Sequence, residues 1–351
     1  MRNNKKYIGI LLMASAILLT ACSSDDTDVR TETTDNASVG REVQMVSYVS
    51  AFVETKQPRR AAPSSGFSAY TPERTTSMGV YMLLPDDWAN PHEERITFNN
   101  KWHAYFDVSP DKTYTVYGYM PKTGEMGSTL VKTIGGAATL TITGIKPVVA
   151  DDICIITGVK DADEGLAEGQ FNWYWPIGDE NYRIFLLLDH LYAAAQFSLR
   201  IDGEYAQLRT IKLKTMKISA DKGSVNATVE LTHNTTGTSP IASASYSAAV
   251  GSDDVVIYNS DEGTALDTTT PLLVNAYFAP TLSGNLTLVS TYDVYDSKGN
   301  LIRQNRTSAN KLPNLEAVRG QRVLVNMLVN PTYLYVLSDP DLNSPTITIG
   351  D

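Results

Sequence analysis

The feature that most constrains this chain is a side-chain period of two. Val225, Ala227, Val229 and Leu231 alternate with Asn226, Thr228 and Glu230, and Val323, Val325, Met327 and Val329 line one side of another segment. Thr139, Thr141 and Thr143 oppose Leu140, Ile142 and, further on, Ile145. Glu42–Glu54 sets Val43, Met45, Val49, Ala51 and Val53 on one face, with Val46, Tyr48 and Phe52 on the other. Successive side chains of a strand point to opposite faces, so this pattern predicts sheets with one buried face. Ile184–Ile201 contains Ala193-Ala194-Ala195, yet Ala193, Ala195, Phe197, Leu199 and Ile201 alternate with Ala194, Gln196, Ser198 and Arg200, so it too reads as strand. Ser297-Lys298-Gly299-Asn300, between Leu286–Tyr295 and Leu301–Asn305, predicts a hairpin. Only Gly203–Arg209 offers a turn or two of helix. The expected fold class is all-β.

Composition narrows the function classes. A length of 351 residues suggests two domains. A net charge of -10 argues against nucleic acid as a partner, because a phosphate-binding surface needs a basic face. With 2 Cys and 4 His, neither a disulfide framework nor a histidine-built metal centre is expected. A domain boundary is expected near Pro176–Tyr182, where polar residues interrupt two apolar stretches. An internal echo suggests one β-sandwich unit used twice. Ser109-Pro110-Asp111-Lys112 leads into Tyr114–Met120 and Pro121, as Arg319-Gly320-Gln321-Arg322 leads into Val323–Val329, Asn330 and Pro331.

The N-terminus reads as an address. Arg2, Lys5 and Lys6 precede the apolar run Ile8–Leu19, which is shorter than the about 20 residues of a membrane-crossing helix. Residues 1–21 therefore read as a secretory signal. Leu19-Thr20-Ala21-Cys22 resembles a bacterial lipobox, which implies lipidation of Cys22 and a surface-exposed lipoprotein of the cell outer membrane. Residues 22–41 form a polar tether with Ser23-Ser24-Asp25-Asp26-Thr27-Asp28 at its head, too poor in apolar groups to fold. That acidic head resembles the surface-export signals of Bacteroidetes lipoproteins.

The order of these parts resembles the fimbrillin family of Bacteroidales, the subunits of type V fimbriae. The resemblance rests on the lipobox, the tether, a first strand ending in basic residues and two β halves. Three stretches carry most of it: Met78-Gly79-Val80-Tyr81-Met82, Leu188-Asp189-His190-Leu191-Tyr192-Ala193, and Asn330-Pro331-Thr332-Tyr333-Leu334-Tyr335-Val336-Leu337-Ser338-Asp339. It implies two transthyretin-like β-sandwich domains, residues 61–180 and 181–351, after a first strand and propeptide end at 42–60. It implies an arginine-specific cut after Arg59 or Arg60, before Ala61, which frees the first strand. The vacated groove then accepts a strand from a neighbouring subunit. Donor-strand candidates are Tyr333, Tyr335 and Leu337, or Ile347 and Ile349. The implied partners are other fimbrial subunits and host or bacterial surface ligands, in adhesion and biofilm formation; stalk, tip and anchor positions stay open.

Other constellations carry less. Trp173 and Trp175, in Phe171-Asn172-Trp173-Tyr174-Trp175, are candidates for stacking on sugar rings, against a packing role at a domain interface. On the first reading the chain is a surface glycan-binding lipoprotein of a polysaccharide-uptake system. Asp339-Pro340-Asp341-Leu342-Asn343 begins like a calcium loop but lacks its glycine and closing glutamate. His190 and Cys154 read as core residues of apolar strands. No catalytic residue, metal or cofactor is expected.

Overall fold

A computed structural model describes residues 40–54, 66–133, 137–178, 183–233, 239–282, 286–312 and 315–330, together with the backbone of 346–349. The strands begin with β1 (Arg41–Glu42), β2 (Gln44–Ser50), β3 (Val53–Glu54), β4 (Phe67–Tyr70), β5 (Thr76–Leu83), β6 (Glu94–Asn99), β7 (Lys101–His103) and β8 (Tyr105–Phe106). Next come β9 (Lys112–Met120), β10 (Gly127–Lys132), β11 (Ala138–Ile145), β12 (Val148–Val149), β13 (Cys154–Lys160), β14 (Asn172–Trp175), β15 (Arg183–His190) and β16 (Ala193–Ile201). A short helix, α1 (Gly203–Ala206), follows, capped by the Asp202 carboxylate, which accepts from the amides of Glu204 and Tyr205. The remainder is β17 (Arg209–Leu231), β18 (Ile241–Ala265), β19 (Leu272–Phe278), β20 (Leu286–Asp296), β21 (Leu301–Leu312), β22 (Gln321–Val329) and β23 (Thr346–Ile349). The fold is all-β, and no helix among the described residues is long and apolar enough to cross a membrane.

Three large sheets hold these strands, apart from β1 and β8, which pair with each other. The first runs β4-β2-β15-β13-β9-β5-β6-β7, with β14 also on β9. The second runs β10-β11-β17-β20-β21, with β18 against β17. The third runs β12-β19-β16-β22-β23, with β3 also on β22. The first sheet is buried on both faces around β5 and β9. Val80 and Val116 enter one apolar core with Met45, Ile156 and Leu186. Tyr81, Tyr117 and Tyr119, on the opposite face, enter another with Leu140, Phe197, Val229 and Val325. Two-sided burial explains why these strands lack the clean alternation of β17 or β22.

β15 belongs to the first sheet through β13 and β2, and its chain enters the third sheet only after Leu191 and Tyr192, both fully buried. β11, from the earlier half of the sequence, is paired with β17. Glycine matters at one bulge here: Gly144 adopts φ 71°, which shifts the β11 register between Ile142 and Ile145 and returns Ile145 to the core. The predicted hairpin is present, with Asp296 accepting from the amides of Lys298 and Asn300.

Candidate functional site at the first-strand junction

β2 lies in a slot. On one side it runs parallel to β15, pairing Gln44–Val49 with Arg183–Leu188; on the other it is antiparallel to β4. Val43, Met45 and Ser47 point into the core. Buried Ser47 is satisfied on both sides: its hydroxyl donates to the Tyr70 carbonyl (3.0 Å) and accepts from Trp102 Nε1 (3.3 Å). At the outer end Arg183 Nε donates to Gln44 Oε1 (3.1 Å), and Lys101 pairs with Glu42 (2.6 Å). A cleft of about 540 Å³ flanks this end, lined by Glu42, Gln44, Val46, Lys101 and Trp102 among others.

The alternation of the first strand breaks after Ser50. Ala51 and Val53 are exposed, although their spacing places them with Val43 and Met45. The cause is a change of sheet. The chain leaves β15 at Ser50 and joins β22 at β3, where Val53 pairs with Gln321 and Glu54 with Arg322. The Val53 amide donates to the Gly320 carbonyl (2.9 Å), and Arg322 Nε donates to Glu54 Oε1 (2.8 Å).

At this crossing sits a polar cluster on the first strand, β13, β15 and the turn before β22. The His190 ring is 2% exposed; its Nδ1 faces Asp152 Oδ2 at 2.5 Å and its Nε2 faces the Ser50 carbonyl at 2.8 Å. Phe52 stacks on the imidazole with centroids 3.4 Å apart. Ser50 Oγ donates to Asp189 Oδ1 (2.6 Å), and Arg319 Nη1 donates to Asp189 Oδ2 (2.7 Å). Cys154, opposite His190 in the ladder, has its Sγ 3.3 Å from Asp152 Oδ2 and 3.8 Å from His190 Nδ1. Burial pulls the His190 pKa down, but the hydrogen bond and charge of Asp152, with Asp189 and the Ser50 carbonyl, carry it above the usual imidazole value. Burial, then the Asp152 charge, pushes the Cys154 thiol well up.

The sequence-level candidates are spread widely. Trp173 and Trp175 are each 1% exposed in the core of the first sheet, and Trp173 Nε1 donates to the Arg183 carbonyl (3.0 Å). Neither indole face is open to a sugar, which corrects the stacking expectation; alternating burial along β14 turns both rings inward. Ile347 and Ile349 stand opposite Met327 and Val325 on the edge of β22. Cys22, Arg59, Arg60, Ala61, Tyr333, Tyr335 and Leu337 lie outside the described residues. Sequence reasoning treated His190 and Cys154 as isolated core residues and did not single out Asp152. Their spacing, across two strands far apart in the chain, carried no signal.

Fold and site define a multi-sheet β protein whose leading strand is held between two others and tied to the third sheet. No protein-family model matches the chain, and no curated protein matches its sequence. Among solved structures it is similar to a fimbrial protein from Bacteroides vulgatus, at 14% identity over 88% of this chain and 98% of that one, with a TM-score of 0.37. It is also similar to a Bacteroides fragilis protein described provisionally as a cell adhesion protein, at 11% identity over 89% and 97% of the two chains, TM-score 0.42. A Bacteroides uniformis protein with the same provisional description gives 12% identity over 88% and 96%, TM-score 0.40.

Proposed function

We propose that this chain is a surface fimbrial subunit of the fimbrillin type, exported as a lipoprotein on Cys22, cut after Arg59 or Arg60, and polymerised by strand exchange in adhesion. The observation that carries the reading is the seat of β2, between a parallel neighbour and an antiparallel one. Removing β2 opens a slot with backbone partners on both walls, and uncovers the core that Val43 and Met45 fill. Such a slot is a template for an incoming strand, with main-chain bonds for affinity and side-chain pockets for specificity. Each ladder bond is worth about 1 kcal/mol net, and each buried aliphatic side chain roughly 1.5–3 kcal/mol. The strand before the cut thus serves as a placeholder that delays assembly. Trp173 and Trp175 are buried, so they do not form the stacking platform that the glycan-binding alternative needs.

The test is N-terminal sequencing of surface material together with its size in warm detergent. Chains beginning at Ala61 in polymers that resist dissociation, both lost in an Arg59→Ala/Arg60→Ala variant, are expected. Chains that all begin at acylated Cys22 and run as one size would overturn the reading.

A further inference from the structure

We propose that Asp152, Cys154 and His190 form a binding site for a zinc-class divalent cation. Register brings them together: Cys154 stands opposite His190 in the β13–β15 ladder, and Asp152 lies two residues upstream of Cys154. One imidazole nitrogen, one thiol and one carboxylate oxygen all lie within 4.8 Å of one another. Zinc bonds of about 2.0–2.3 Å in a tetrahedron separate neighbouring ligand atoms by roughly 3.3–3.6 Å. Sγ to Oδ2 is 3.3 Å and Sγ to Nδ1 is 3.8 Å, so both sulfur edges are already near that size. Nδ1 to Oδ2 is 2.5 Å, a hydrogen-bonded contact that opens when the cation enters and the proton between them and the Cys154 thiol proton are both released to solvent.

Two further observations point to a ligand. Asp152 Oδ1 is buried and has no hydrogen-bond partner, an expensive state for a carboxylate oxygen, and a cation on the neighbouring Oδ2 offsets the charge left without a partner there; three protein ligands leave the fourth tetrahedral position to water. The distal nitrogen of His190 is already on the Ser50 carbonyl, the arrangement by which a metal-ligating histidine is oriented. With a cation at Nδ1 the ring is neutral and keeps its Nε2–H on Ser50. The nitrogen, sulfur and oxygen donor set suits Zn²⁺ over Ca²⁺ or Mg²⁺, which take oxygen ligands. Asp152, its side chain 18% exposed, is the most accessible of the three residues. A bound ion would join β13 to β15 and fix the imidazole that touches Ser50 and Phe52, the residues at which the first strand changes sheet.

The experiment is a cobalt titration of the chelator-treated full chain carrying Cys22→Ser, which leaves Cys154 as its cysteine. About one equivalent of Co²⁺ should bind with a near-ultraviolet thiolate-to-cobalt band and tetrahedral visible bands, and Zn²⁺ should displace it. Adding Cys154→Ser should abolish the near-ultraviolet band and weaken binding tenfold or more, and Asp152→Asn should weaken binding at least about tenfold. Cobalt bound without the thiolate band, no saturable binding, or unchanged affinity in either variant overturns the site. None of these readouts depends on polymerisation.

Discussion

The hold of the first strand on its slot can be measured with two identical substitutions on opposite faces. Val43 is 0% exposed and joins the core with Met45, Ile184 and Leu186, whereas Val46 is half-buried beside the outer cleft. Val→Ala removes the equivalent of two methylenes, each worth about 0.8 kcal/mol when fully buried. At Val43 the surrounding sheet cannot close on the space, so a cavity cost adds to the transfer loss and the total should reach about 2 kcal/mol. The Val43 amide still donates to the Ala104 carbonyl (2.8 Å), so the loss reports packing and not the ladder. At Val46 much of the side chain already meets water, and the loss should stay below about 1 kcal/mol. Urea unfolding reads both, provided the slope is unchanged and only the midpoint moves. Equal losses at the two positions, or a larger one at Val46, would refute the inward seat of this strand.

Three more outcomes are expected. Burial, with the Asp189 charge nearby, pushes the Glu168 carboxyl up to about 7. Because the native pKa lies above the unfolded one, its stabilising contribution is complete below the unfolded value of 4.5 and is lost as pH rises through about 7. Glu168→Gln should remove that slope and gain about 1–2 kcal/mol at pH 8, a figure discounted for partial solvation; stability–pH curves parallel to wild type would contradict it. Trp173→Ala should cost about 3–5 kcal/mol of stability, while Trp173→Phe should leave retention in polysaccharide affinity gels unchanged. A Cβ at residue 144 would meet the Glu125 carbonyl at 2.6 Å with φ at 71°, so Gly144→Ala should lose more than about 1 kcal/mol in thermal or urea melts.

Strands buried on one face were legible in the sequence. Val225, Ala227, Val229 and Leu231 are all fully buried, and Val323, Val325, Met327 and Val329 all face inward, because their opposite faces remain wetter. The triple alanine in β16 was correctly read through its neighbours: Phe197, Leu199 and Ile201 keep the period of two. Local pattern could not say which sheet a strand joins. β15 and β16 read as one run, yet they serve different sheets, since partner choice depends on residues such as Gln44 and Arg322 far away in the chain. The phase break after Ser50 was hidden for the same reason. The Asp152–Cys154–His190 cluster was invisible because it exists only in the register of β13 against β15.

One flank of β22 has two tenants. Val53–Glu54 occupies it at Gln321–Arg322, and Thr346–Ile349 occupies it at Val325–Leu328. The earliest and latest described strands on this sheet therefore share one short track, abutting rather than overlapping. Lengthening either pairing along β22 by more than two residues would bring it onto the ladder positions of the other.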